Sequence, residues 1–279
     1  MNKDQLSALL PEIRRIAKGA GEKIMEIYES GFETETKSDD SPVTTADLAA
    51  NTFIDEELKK LEIQLPILSE ESAHLSFEER ASRETYWLVD PLDGTKEFIN
   101  RRDSFTVNIA LIHQHKSILG VVYAPALGLS YFAAEGLGSF KTTDKEGAEV
   151  EAIHSRNLPE DVAIFVGSRT HTGIDMVKFL KNYEADNGEY DLQSMGSSLK
   201  MCMVAEGNAD LYPRLWLTSE WDTAAAHCIV NEAGGKIVKI DMSPLLYNTK
   251  DSLLNPYFFA IGDNSVEWNK YLPESLINS

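Results

Sequence analysis

Leu6, Leu9, Leu10, Ile13, Ile16, Ala20, Ile24 and Ile27 recur mostly at intervals of three or four residues, the signature of a helix that buries one face, over Met1 to Gly31. A polar stretch from Glu33 to Ser41 interrupts the pattern. Leu48, Ile54, Leu58 and Leu61 then predict a second amphipathic helix, with Asp47 in or near its first turn. Ile67-Leu68 and Trp87-Leu88-Val89 are short uninterrupted apolar runs that predict buried strands. Each ends in carboxylates: Ser69-Glu70-Glu71-Ser72 after the first and Asp90 after the second. Phe105 to Ile112, Ile118 to Tyr123 and Ser130 to Ala134 read as successive strands joined by short turns, an antiparallel meander.

From about Glu151 strands and helices alternate. Strands are predicted at Val162 to Val166, Tyr190 to Met195, Lys236 to Ile240 and Phe258 to Ile261. Helices are predicted at Gly173 to Tyr183, Ser197 to Glu206 and Asp222 to Ala233. The pattern implies an α+β subdomain over 1–150 and a layered α/β subdomain over 151–279. The polar gap from Thr142 to Asn157 is too short for a flexible linker. The chain has no internal repeat and no low-complexity segment.

With 279 residues, 43% of them hydrophobic and 25% charged, the chain can bury a sizeable core. Lys and Arg number 26 against 45 Asp and Glu, a formal charge of -19. That field repels polyanions and argues against nucleic-acid binding, which needs a cationic surface. A small anionic substrate remains possible if metal ions or a few placed cations offset the field locally. Cys202 and Cys228 form neither a disulfide framework nor a metal knuckle and read as buried core thiols, which suits a reducing cytoplasm. Residues 1–31 lack the apolar core of a signal peptide, and no later segment is long enough to span a bilayer. Glu12, Glu22 and Glu26 interrupt the basic residues of the first helix, so its polar face reads as solvated rather than membrane-bound.

The chemistry concentrates in Asp90-Pro91-Leu92-Asp93-Gly94-Thr95. The two carboxylates flank a Pro-Leu pair before a glycine, so a sharp turn just after a buried strand would aim both at one point. A hard divalent cation requires such oxygen ligands, and the Leu92 carbonyl can add one without charge. An EF-hand is excluded, because its twelfth position would be Arg101. An aspartyl-nucleophile phosphatase is disfavoured, since two residues separate the aspartates where that class has one. On spacing alone Glu70 and Glu71 read equally as solvated charges, Asp222 beside Thr223 as a helix cap, and Thr44-x-x-Asp47 as a capping box.

Trp87 to Thr95 resembles the first signature of the inositol monophosphatase superfamily, and Glu220-Trp221-Asp222-Thr223-Ala224-Ala225 followed by Glu232-Ala233-Gly234-Gly235 resembles its second. Ser41 to Asp47 and Leu68 to Ser72 extend the similarity over nearly the whole chain. Lys96-Glu97-Phe98-Ile99 and Ser197 to Cys202 resemble the bacterial 3'(2'),5'-bisphosphate nucleotidase branch. The resemblance implies an αβαβα sandwich of the inositol monophosphatase and fructose-1,6-bisphosphatase type. It further implies two or three magnesium ions held by Glu70, Asp90, Asp93, Asp222 and the Leu92 carbonyl, with Asp47 orienting the Thr95 hydroxyl to deprotonate water. Gly94 and Thr95 backbone N–H groups would bind the scissile phosphate.

The implied substrate is adenosine 3',5'-bisphosphate, cleaved at its 3' position, with its sulfated relative as a second candidate. Its other phosphate needs a cationic site, for which Lys200 and Arg214 are the candidates, helped by Ser197, Ser168 and His171, with Tyr212 against the base or ribose. Each also has an ordinary reading: Lys200 as a solvated helix residue, Arg214 as a surface ion pair, Tyr212 as a core aromatic. Inositol phosphates or sugar bisphosphates are the alternative substrates and a non-catalytic binding module the alternative class. The resemblance also implies inhibition by lithium and leaves peripheral membrane association and oligomeric state open.

Overall fold

The computed structural model describes residues 1–31, 34–36, 42–72, 75–168 and 173–277. The first helix, α1 (Lys3–Ser30), opens on a capping box between Asn2 and Gln5. A two-stranded ribbon, β1 (Thr34–Thr36) with β2 (Pro42–Thr44), leads into α2 (Thr45–Leu58). Next come β3 (Ile67–Ser69), α3 (Phe77–Ala81), β4 (Thr85–Asp93) and α4 (Thr95–Ile99). The meander follows as β5 (Thr106–His113), β6 (Lys116–Ala124), β7 (Leu129–Ala134), β8 (Gly138–Thr143) and β9 (Glu151–Ala152). The remainder is β10 (Ala163–Gly167), α5 (Ile174–Asn187), β11 (Tyr190–Ser194), α6 (Leu199–Ala205), β12 (Leu211–Arg214), α7 (Glu220–Glu232), β13 (Lys236–Lys239), β14 (Phe258–Ile261) and α8 (Glu274–Ile277).

A seven-stranded sheet runs β3-β4-β5-β6-β7-β8-β9, antiparallel except for the parallel β3-β4 pair. Its central strands are apolar at nearly every position because both faces are covered, and the period of two sorts their side chains. Trp87, Val89, Val107, Ile109 and Leu111 pack with Leu10, Ile13, Ile16 and Ile54 of α1 and α2. Leu88, Ala110, Ile112 and Val122, on the opposite face, pack with α6 and α7 through Leu199, Val204, Ala226 and Ile229. The same core continues to Tyr212, Ile237 and Ala260 of the five-stranded sheet β11-β10-β12-β14-β13. That sheet buries its far face, including Phe165 and Phe259, against Phe179 and Tyr183 of α5. The layers are therefore α, β, α, β, α. Gly120 permits the closest contact between them: a Cβ there would stand 2.0 Å from the Ala225 carbonyl oxygen, so α7 lies directly on the β6 backbone.

Besides the ribbon strands β1 and β2, in and just after the polar Glu33 to Ser41 stretch, three strands escape the apolar pattern. β8 and β9 lie in or beside the polar Thr142 to Asn157 segment, and β9 adds the edge strand of the first sheet. β12 is short and contains Pro213, which cannot donate to a ladder. The acidic segment also differs from the expected turn. β4 runs through it, pairing Asp90 with Asn108 and Asp93 with Thr106. Pro91 and Leu92 thus oppose Val107 alone, forming a bulge that the missing Pro91 N–H favours. The reversal comes at Gly94, whose φ of 91° requires glycine.

Arg80 is buried at 1% exposure. Its guanidinium donates to Asn248 Oδ1 (2.6 Å), the Lys250 carbonyl (3.0 Å) and the Asp251 carbonyl. Asn248 N in turn donates to both carboxylate oxygens of Glu220, the first residue of α7. Arg80→Met strands these acceptors and is expected to destabilise the fold by about 3 kcal/mol, lowering Tm by roughly 6 °C in calorimetry. Arg80→Lys recovers only part, because an ammonium lacks the planar fork. An unchanged Tm in the Met variant would refute this role.

Candidate active site

The carboxylates converge because three elements end at one place. Glu70 opens a short 3-10 segment at the end of β3, Asp90 and Asp93 straddle the bulge of β4, and Asp222 lies in the first turn of α7. Asp90, Asp93 and Asp222 each place an oxygen within 4.8 Å of the other two. Asp90 and Asp222 are raised well above the usual carboxylate range, first by burial and then by neighbouring charge: Glu70 and Asp93 act on Asp90, Asp93 and Glu70 on Asp222.

Asp93 Oδ2 is held by the Ser198 N–H (2.7 Å), the Ser198 hydroxyl (2.9 Å) and, more weakly, Asn108 Nδ2 (3.4 Å). The Ser198 hydroxyl also lies 2.7 Å from the Asp222 carbonyl oxygen, so this serine joins the strand and the helix that carry the two acids. Asp222 Oδ2 accepts the N–H of Ser219 (2.9 Å) as part of a capping box.

This donor set fits a hard divalent cation. It is made of oxygen alone, with Asp90 buried and Asp93 and Asp222 half-buried, and among the described residues no ion pair reaches Asp90, Asp93 or Asp222. A cation placed among them would remove the repulsion that raises Asp90 and Asp222.

Asp47 resolves an apparent choice between capping and chemistry. Its Oδ2 accepts the Thr44 N–H (2.7 Å) and hydroxyl (2.6 Å), closing the cap of α2. Its Oδ1 accepts the Thr95 hydroxyl at 3.2 Å. The cap fixes the carboxylate so that its second oxygen is presented to Thr95, which also lies 3.4 Å from the Leu92 carbonyl oxygen.

Glu70, the three aspartates and Thr95 line one side of a cleft of about 360 Å³, and Ser168, Ser197, Lys200, Tyr212 and Arg214 line the rest. Lys200 is a buried residue rather than a solvated one. Its ammonium donates to the Ser197 carbonyl (2.6 Å) and stands 5.5 Å from the Tyr212 ring centre. Burial lowers Lys200 to about 8, against the opposing pull of Asp93. Arg214 donates from Nη2 to the Leu217 carbonyl (2.9 Å) instead of forming a surface ion pair. The Ser197 hydroxyl and Arg214 Nε are buried without hydrogen-bond partners, polar capacity left for a ligand. Tyr212 is both core aromatic and cleft lining. Glu71 is outside the cleft lining, and His171 lies outside the described residues.

Sequence reasoning missed Ser198 and Asn108. Ser198 stands beside the chosen Ser197, and only the fold shows which of the two binds Asp93. Asn108 left a usable signal, an amide within the apolar run of β5.

The model of the inositol monophosphatase family matches residues 5–270 of the chain. The chain belongs to the inositol monophosphatase family. Among family members, the 3'(2'),5'-bisphosphate nucleotidase CysQ of Salmonella typhimurium is 45% identical over 252 residues, 90% of this chain and 98% of that protein. The protein of the same name from Haemophilus influenzae is 39% identical over 93% of this chain and 95% of its own length. The crystal structure of CysQ from Bacteroides thetaiotaomicron, a bacterial member of the inositol monophosphatase family, superposes with a TM-score of 0.77 at 39% identity, covering 89% of this chain and 95% of that one. The five-layer sandwich is thus the architecture of the family. No helix among the described residues is long and apolar enough to cross a membrane.

Proposed function

We propose that this family member is a magnesium-dependent 3'(2'),5'-bisphosphate nucleotidase, converting adenosine 3',5'-bisphosphate and water to AMP and inorganic phosphate. One observation carries the reading: a single cleft sets an all-oxygen acidic cluster against a separate pair of cations, Lys200 and Arg214. A monophosphate would use the first alone. A bisphosphate uses both, one phosphate at the acids with their metal and the other at the cations. The sulfated nucleotide offers the same 3'-phosphate. The relatives named as 3'(2'),5'-bisphosphate nucleotidases, at 39% to 45% identity, support the assignment.

Two or three magnesium ions, held by Glu70, Asp90, Asp93, Asp222 and the Leu92 carbonyl, would supply neutralisation of phosphate charge, a lowered pKa for water and stabilisation of the leaving oxygen. The chain itself supplies position and proton transfer. Asp47 Oδ1 accepts the hydrogen bond of the Thr95 hydroxyl, turning the Thr95 lone pairs towards a water in the cleft. As that water attacks phosphorus its proton passes to Thr95 Oγ1, the Thr95 proton passes to Asp47, and the 3'-oxygen leaves with its bonding pair and takes a proton from solvent water, to which Asp47 gives up its own. The backbone of Gly94 and Thr95, lining the cleft where the chain reverses, cradles the phosphate. Ser168, Ser197 and Tyr212 complete the wall beside Lys200 and Arg214, with His171 a further candidate. The buried free thiols Cys202 and Cys228 accord with a reducing cytoplasm.

Phosphate release from adenosine 3',5'-bisphosphate, inositol 1-phosphate and fructose 1,6-bisphosphate, with and without magnesium, tests the reading. The nucleotide should show the highest kcat/KM by at least about tenfold, and only with metal present. A higher value for inositol 1-phosphate would reassign the substrate.

A further inference from the structure

Beside the acidic cleft lies a second, smaller recess of about 110 Å³, and its wall has a different chemistry. The two spaces share Ser168, Tyr212, Arg214 and Trp216, so a ligand can extend from one into the other. Away from that shared edge the recess is lined largely by Gly167, Gly173, Met176, Leu192 and Leu215, with no carboxylate among them.

Trp216 marks the boundary. Trp87 and Trp268 are wholly buried, whereas Trp216 is 49% exposed and lines both spaces. The two glycines help keep the recess open. Neither has positive φ, and Gly173 sits at φ -71°, so the backbone does not demand glycine at these positions. A Cβ on Gly173 would stand 3.5 Å from Trp216 Cε3, and one on Gly167 3.5 Å from Leu192 Cδ1, each taking up space against the recess wall.

We infer that Trp216 is a specificity-determining residue whose indole receives the planar base of the nucleotide while the phosphates occupy the neighbouring cleft. An extended aromatic surface with a guanidinium close by suits a flat π-system joined to anionic groups better than it suits a hydroxylated ring such as inositol, which would strand its hydroxyls on apolar walls. The inference rests on the nucleotide reading of the cleft and adds to it the residue that selects a base.

The test compares the parent chain, Trp216→Ala and Trp216→Phe on adenosine 3',5'-bisphosphate and on fructose 1,6-bisphosphate, a bisphosphate without a base. Trp216→Ala should lower the ratio of the two kcat/KM values about tenfold, the loss expected from one base–aromatic stack, with the change in KM rather than kcat. Trp216→Phe should keep most of the ratio. AMP should also quench the tryptophan emission of the parent more than that of Trp216→Phe. Preference of the parent for fructose 1,6-bisphosphate would overturn the nucleotide reading and this inference with it. Nucleotide preference that survives intact in Trp216→Ala, with equal quenching in both proteins, would overturn the role of Trp216 alone.

Discussion

Asp93→Asn is expected to lower kcat by at least about 10³-fold in saturating magnesium while leaving the fold intact. The substitution keeps the shape of the side chain, and an amide oxygen can still accept the Ser198 N–H and hydroxyl that hold Asp93 Oδ2. It removes one anionic ligand from a group that has its oxygens within 4.8 Å. In the metal-free protein that loss should not destabilise the fold. Asp90 and Asp222 are raised by burial and by Asp93, so they bind protons more tightly folded than unfolded. Their ionisation therefore opposes folding increasingly as pH rises above the ordinary carboxylate range, and removing the Asp93 charge relieves part of that opposition. Metal-free Asp93→Asn should melt no lower than the parent at pH 8, with the gap between them narrowing towards pH 4. Circular dichroism, thermal melts and single-turnover kinetics provide the readouts. Parental kcat in saturating magnesium would eliminate Asp93 as a ligand.

Thr95→Val should lower kcat about 10²- to 10⁴-fold, the range for a positioned proton-transfer group. Valine fills the same volume but cannot donate to Asp47 Oδ1, which Thr95 reaches at 3.2 Å, or accept a proton from water. The α2 cap should survive, because it depends on Asp47 Oδ2 and Thr44. Stability should therefore change little, and KM less than kcat. Thr95→Ser restores the hydroxyl and should recover most of the rate. If the Val and Ser variants were equally impaired, the hydroxyl would not account for the loss and its part in proton transfer would be refuted.

These two residues show how far the chain could be read without its fold. The bulged acidic segment was visible as a motif, and its resemblance to a family signature supplied the partners Glu70 and Asp222. The cap at Asp47 was also visible. Its pairing with Thr95 through the second oxygen was not, because spacing gives no distance between α2 and the end of β4. Lys200 shows the opposite limit: a lysine on a helix reads as solvated until α6 is seen between two sheets, where it is buried. Ser198 fell within the Ser197 to Cys202 motif without a role of its own, and Arg80 and Trp216 gave no local signal at all.

The sequence by itself determined what is encoded over a few neighbouring residues: the helical and strand periods, the capping box at Thr44, the proline between two aspartates at the end of an apolar run, and the family those motifs mark. Tertiary structure alone decided which carboxylates share a cation site, which of two adjacent serines holds Asp93, and that an apolar recess adjoins the acidic cleft. Those properties arise where strand pairing and layer packing bring distant segments into contact. The chain's local pattern fixes which face of each element is apolar, but the position of that face against another element depends on all the layers packing at once.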